Sequence, residues 1–164
     1  MSNLPEKTFY DETHTVFGHH ENKLFQWIFT IDHKRIALLY LLVMMIFFIV
    51  AILVALSMRI ELFSVGQQIM DPDTYNQAFT LHGTIMIFLF VVPGIPAVFG
   101  NFLLPLLIGA RDVSFPRLNL FSWWLYMFGA VLAVVSLFVG QGFADTGWTF
   151  YAPYSVKTGT NVIF

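Results

Sequence analysis

No cysteine occurs in the 164 residues, which excludes disulfides, thiolate metal sites and redox thiols. Charge is nearly as scarce: Asp, Glu, Lys and Arg together make up 11% of the chain, against about 25% in an ordinary soluble domain. A chain so poor in charge cannot clothe a water-facing surface. No glycine-rich phosphate loop, basic stripe or internal repeat is visible, so nothing supports nucleotide or nucleic-acid binding. The net charge of -2 carries no information about partners in such a material. What remains is apolar: 57% of the residues are hydrophobic and 19 are phenylalanine. The composition is that of an all-α integral membrane protein.

Three stretches free of Asp, Glu, Lys and Arg run from Ile36 to Met58, from Thr74 to Ala110 and from Leu118 to Ala144. Crossing the hydrocarbon layer takes about 20 apolar residues in a helix, so each is long enough to span. The spans are expected at about 36–58, 79–107 and 118–144, followed by an outer loop over 145–164. The middle stretch exceeds the minimum and is expected to tilt, to bend at Pro93 or Pro96, or to leave the membrane near Pro105. Lys34 and Arg35 precede the first span, and Arg111 and Arg117 separate the second from the third, which puts both on the cytoplasmic side. Arg59 is outweighed by Glu61, Asp71 and Asp73, and Asp145 follows the third span, so those flanks face outward. The expected location is the cell inner (plasma) membrane, multi-pass with a cytoplasmic N-terminus; the mitochondrial inner membrane is its topological equivalent.

Residues 1–30 form a polar, interfacial tail in which Glu6, Asp11, Glu12 and Glu21 alternate with aromatics, without the basic start of a cleaved signal peptide. Leu24, Phe25, Trp27, Ile28 and Phe29 suit a segment lying at the interface, and equally a flexible tail with a few anchoring rings. His14, His19 and His20 read as solvated side chains. Apolar residues resume at Thr160–Phe164, as at the start of a fourth span.

His82 is the one ionisable group between Thr74 and Ala110 apart from Tyr75, and an imidazole inside a span is costly unless something compensates. Neutral imidazole is the commonest protein metal ligand, which makes His82 a candidate ligand; the plain alternative is a hydrogen bond to a neighbouring helix. Gly83 clears space beside it for a broad planar group or another helix. Ile85, Met86 and Leu89 share its helical face, a wall that suits a porphyrin but more often means ordinary packing. At the inner end, Asp112 could collect protons while Asn101 and Asn119 hold a water chain. From spacing alone the structural alternative is favoured, with Asp112 paired to Arg111 or Arg117 and the asparagines capping or cross-linking helices.

Taken together, Asp32-His33-Lys34-Arg35, His82-Gly83-Thr84-Ile85-Met86-Ile87-Phe88, Gly100-Asn101, the block Ile108 to Asn119 and Thr146-Gly147-Trp148-Thr149 occur in an order and spacing that resembles subunit I of the haem-copper terminal oxidases. The resemblance covers residues 30–155. It implies that the chain is the N-terminal part of a twelve-helix-type bundle. It implies that His82 is one axial ligand of a low-spin haem A, the opposite ligand coming from a later helix. It also implies that Asp112 is the entrance of the D-type proton channel, with Asn101 and Asn119 as its asparagines. Arg59, in Ser57-Met58-Arg59-Ile60-Glu61, matches the arginine bonding that haem's peripheral carbonyl, Tyr75 a tyrosine near the low-spin haem, and Trp148 a tryptophan beside the haem propionates. Trp148 equally suits an interfacial anchor. Glu61 matches a ligand of a small outer-side cation site.

The ligands of copper B, of the second haem and of the far face of the low-spin haem lie in later helices of the family, so this segment alone is not expected to be active. Quinol-oxidising relatives carry an acidic and a basic residue where this chain has Val50 and Val54, and a histidine where it has Thr74, which points to cytochrome c as the electron donor. Oxidase subunits II and III are the implied partners within the membrane. The implied activity is a proton-pumping cytochrome-c oxidase that reduces dioxygen to water. A small haem-free proton-conducting membrane protein, a quinol-oxidising relative and an assembly subunit without chemistry are the rival readings.

Overall fold

The computed structural model describes residues 15–17, 22–139 and 144–157; His14, His19, His20 and the Thr160–Phe164 segment lie outside them. A short helix α1 (Lys23–Ile28) leads into α2 (His33–Glu61), followed by α3 (Pro72–Thr84), two π-helical segments (Ile85–Val91 and Gly94–Gly100), α4 (Asn101–Leu107), α5 (Pro116–Ser136) and a single 3-10 turn (Tyr154–Val156). Three helical units are long and apolar enough to cross a membrane: His33–Glu61, the continuous run Pro72–Leu107, and Pro116–Ser136. At 1.5 Å per residue α2 is about 44 Å long, enough to cross the hydrocarbon with tilt.

Local chemistry sets the ends. Asp32 caps α2 by accepting from the Lys34 N–H at 2.9 Å. Asp71 caps α3 with Pro72 in its first turn, so the second run begins at a capping signal several residues before its apolar part. Thr74 gives Asp71 both its hydroxyl and its N–H, which hold the Asp71 carboxyl below the usual carboxylate range. At the far end, Gly109 at φ +70° closes α4: the Gly109 N–H reaches the Leu106 carbonyl and the Ala110 N–H reaches Pro105, the paired bonds of a Schellman motif. α5 starts at Pro116 and ends at Ser136, short of the end of its uncharged stretch.

The prolines of the second run do not break it. Pro93 has no N–H to offer the Leu89 carbonyl four residues back, and Tyr126 of α5 donates to that carbonyl at 2.8 Å. The coil widens to π geometry on both sides of Val92 and Pro93, the kind of local adjustment through which a membrane helix absorbs such residues.

Helix α2 is central, packing against the second run along its length and against α5. Ile36, Tyr40, Met44, Val98, Leu120 and Trp123 form one buried cluster toward its N-terminal end. Ala51, Ile85, Leu89 and Ala130 form another further along, where the alanines let helices approach closely. Leu42, Ile46, Ile49, Leu53, Leu56 and Ile60 recur at helical spacing on the exposed side of α2, an apolar face suited to lipid or further helices.

Candidate functional site

Near the end of α3, His82 is half-buried and its Nδ1 lies 3.0 Å from the Ala51 carbonyl of α2. A carbonyl only accepts, so Nδ1 must carry the proton. In the neutral ring this leaves the lone pair on Nε2, which makes no hydrogen bond among the described residues. Locking one ring nitrogen on a backbone carbonyl is how proteins orient a metal-ligating histidine. The hydrogen bond to a neighbouring helix, set against metal ligation in the sequence, is therefore made by one nitrogen and leaves the other available for the second role.

The space cleared by Gly83 is used by this chain itself. A Cβ there would stand 2.9 Å from Cδ1 of Trp148, so the indole lies against bare backbone one residue from His82. Trp148 also meets Phe88 edge to face at 5.8 Å. Its loop is tied down by the Gly147 N–H, which donates to the Thr80 hydroxyl at 2.8 Å. Ile85 and Leu89 are buried against Ala51 and Ala130, with Met86 packed beside them, so this stripe is helix packing.

Arg59, in the last turn of α2, is exposed and makes no ion pair among the described residues. It lies eight residues beyond Ala51, about 12 Å along the helix axis from the carbonyl that holds His82. Its groove is lined by Leu56, Phe63, Gln68 and Ile69. Tyr75 is half-buried two turns before His82 on α3 and lines a neighbouring cleft with Glu61, Met70 and Asn76. The Glu61 carboxylate accepts the backbone N–H groups of Gln68, Ile69 and Met70 at 2.9, 2.6 and 2.9 Å, closing the turn between α2 and α3. No group of three or more His, Cys, Asp or Glu side chains gathers anywhere among the described residues.

At the opposite end, Asp112 pairs neither with Arg111 nor with Arg117. Its Oδ1 accepts from His33 Nδ1 at 2.9 Å and from the Val113 N–H at 2.7 Å. His33 is only 2% exposed, and its Nε2 is buried with no partner among the described residues. Asn101 turns back on its own helix, donating to the Ala97 carbonyl at 2.9 Å. The Asn119 side-chain NH2 is buried without a partner among the described residues. Beside it, Ser122 donates to the Asn119 carbonyl at 2.7 Å and lies 3.1 Å from the Tyr40 hydroxyl. Tyr40 stands two turns beyond His33 on α2, so polar groups recur up one face from the start of that helix. His33, Tyr40, Ser122 and Thr80 were not legible as site residues, because each gains its meaning from a contact with a distant segment.

Comparison with known proteins shows which family the chain resembles. The family described as "Cytochrome C and Quinol oxidase polypeptide I" matches residues 35–164. "Probable cytochrome c oxidase subunit 1-alpha" of Streptomyces avermitilis is 49% identical over 134 residues, covering 82% of this chain and 23% of the relative. "Cytochrome c oxidase subunit 1" of Thermostichus vulcanus is 46% identical over 132 residues, covering 80% of this chain and 24% of its own length. The protein of the same name from Alkalihalophilus pseudofirmus is 44% identical over 134 residues, covering 82% and 21% respectively. The chain thus spans about a quarter of the length of these relatives.

Proposed function

The chain belongs to the cytochrome c and quinol oxidase polypeptide I family, and from that premise we propose that it forms the N-terminal part of the catalytic subunit of a proton-pumping respiratory oxidase. The complete enzyme passes electrons from cytochrome c to dioxygen and forms water, working in the plasma membrane with subunits II and III. The family implies haem and copper. In this segment His82 would hold a low-spin haem A, and later helices would hold the second haem and copper B.

The observation that carries this reading is the His82 to Ala51 hydrogen bond, which takes the Nδ1 proton and leaves the Nε2 lone pair free for a metal. The surrounding donors suit the same group. Trp148 Nε1–H makes no hydrogen bond among the described residues, and an indole N–H can only donate, which suits an anionic propionate. The exposed guanidinium of Arg59 sits at the same end of α2 as a donor for a peripheral carbonyl. Held by His82 and a ligand from a later helix, such a haem would supply electron transfer. Glu61 is the proposed contributor to an outer cation site, with the turn Gln68–Met70 held around it.

On the inner side Asp112 collects protons at the channel entrance, and its bond to His33 sets the carboxylate's orientation. Asn119, with an amide donor still unsatisfied, offers a place for water on the way inward, and Asn101 lines the second run nearby. The N-terminus then faces the cytoplasm, in keeping with the basic residues Lys34, Arg35, Arg111 and Arg117.

Purification of the complete subunit with its partners tests the function as a whole. Extracted haem should be haem A, and reduced cytochrome c should support oxygen consumption. Oxygen consumption with quinol alone would favour a quinol oxidase, and proton conductance without pigment would favour a channel.

A further inference from the structure

We infer that residues 15–17 and helix α1 form an interfacial membrane anchor, in which Phe17 and Leu24 insert among lipid acyl chains at the end of the bundle where α2 and α5 begin. This requires the spanning helices and no cofactor, so it stands apart from the haem and proton-channel readings.

The segment is docked onto the bundle through its rings. Ile28 and Ile31 pack against the buried cluster shared by α2 and α5. The Arg35 guanidinium lies 5.4 Å from the centre of the Trp27 ring, and Phe29 meets Trp124 of α5 at 5.5 Å. Phe25 lies 4.5 Å from Phe29, and Phe17 touches both rings, at 5.9 and 5.4 Å. Thr15 and Thr30 form an antiparallel bridge, with the Val16 N–H donating to the Phe29 carbonyl at 3.2 Å. One aromatic ladder thus runs from Phe17 to the flank of a spanning helix.

That ladder fixes a depth. Trp124 stands seven residues beyond Arg117 on α5, about 10 Å along the axis from a guanidinium that belongs at headgroup level. The Trp124 ring therefore lies at the edge of the hydrocarbon, and Phe29, Phe25 and Phe17 are tied to it. Interfacial segments bury their apolar side chains about 5–10 Å into the boundary between headgroups and acyl chains, the same level. Projecting from the ladder and from α1 are Phe17, 68% exposed, and Leu24, 77% exposed. Lys23 beside Leu24 is exposed on a stem long enough to return its ammonium to the headgroups. Lipid is the occupant that fits, because exposed Phe121, Leu125 and Phe128 share the face of Trp124 and continue the same apolar surface up α5. The backbone suits such surroundings as well: the N–H groups of Gln26, Phe29 and Thr30 reach carbonyls three or four residues back, and the Asp32 N–H reaches the Thr30 hydroxyl at 3.2 Å.

The test is the collision accessibility of nitroxide labels on the complete, purified complex in vesicles of phosphatidylcholine and phosphatidylglycerol. The 164 residues contain no cysteine, so single labels can be placed at Phe17→Cys, Leu24→Cys and, as a water reference, the exposed Asn22→Cys. The unsubstituted complex, treated in parallel, supplies the background. Labels at 17 and 24 should collide with oxygen, which concentrates among acyl chains, several times more often than with a water-soluble nickel chelate, and the label at 22 should show the reverse. A ratio at Leu24 equal to that at Asn22 overturns the inference by placing the segment in water. Few collisions with either reagent at Leu24 also overturn it, since protein would then cover that side chain. Phe29→Ala cuts the ladder outside the spanning helices and should move the Leu24 label toward water, whereas Phe29→Tyr, which keeps a ring, should not. An unchanged ratio in Phe29→Ala overturns the role given to the ladder.

Discussion

Replacing Asp112 with Asn in the complete subunit separates what the carboxylate holds from what it carries. The amide oxygen of Asn can still accept from His33 Nδ1 and from the Val113 N–H, the two bonds made by Oδ1 at 2.9 and 2.7 Å. What is lost is the charge on one partner. A hydrogen bond to a charged group contributes about 1.5–3 kcal/mol and a neutral one about 0.5–1.5, so the deficit is on the order of 1 kcal/mol before solvent screening. The Asp112 side chain is 36% exposed, which reduces that further. Folding and the haem spectrum should therefore be unchanged. Proton collection should not survive, because an amide does not titrate and cannot relay a proton at the channel mouth. In reconstituted vesicles, oxygen consumption should slow and proton release per oxygen should fall. Wild-type rate and stoichiometry would refute the channel role and leave Asp112 as a partner that orders His33.

Tyr126→Phe removes the donor to the Leu89 carbonyl, at a cost of about 1–3 kcal/mol if the carbonyl is left unpaired, read as earlier thermal unfolding in detergent. Unchanged unfolding would mean the widened coil at Pro93 satisfies that carbonyl alone. Arg59→Met should move the low-spin haem absorption to shorter wavelength and lower its potential, whereas an unaltered spectrum with haem A present would reduce Arg59 to a membrane-end anchor. Glu61→Ala should free the Gln68, Ile69 and Met70 amides at once, so hydrogen exchange at those three should accelerate together while α2 stays protected. Protection unchanged at all three would show that the turn is held by other contacts.

Where a feature depended on composition along a single segment, the sequence was enough. Three uncharged stretches of this length predict spanning helices, and three helices long and apolar enough to cross a membrane overlap them. The start of α3 was hidden because Asp73, Thr74, Asn76 and Gln77 are polar, although Asp71 and Pro72 already carry a capping signature. Gly83 was legible as a place of close approach. That the approaching group includes Trp148, 65 positions on in the chain, was not. Asp112 was weighed against its sequence neighbours Arg111 and Arg117, and its partner proved to be His33, brought to it by the packing of the second run's C-terminal end against the start of α2. Spacing encodes one helix face well and encodes nothing about which distant loop lands on it.

Whether His82 binds the low-spin haem through Nε2 can be read from the reduced-minus-oxidised spectrum of the complete oxidase carrying His82→Ala. The low-spin band and electron delivery should be lost, with partial return of the band on adding free imidazole. A wild-type low-spin band and wild-type turnover in that variant would contradict it.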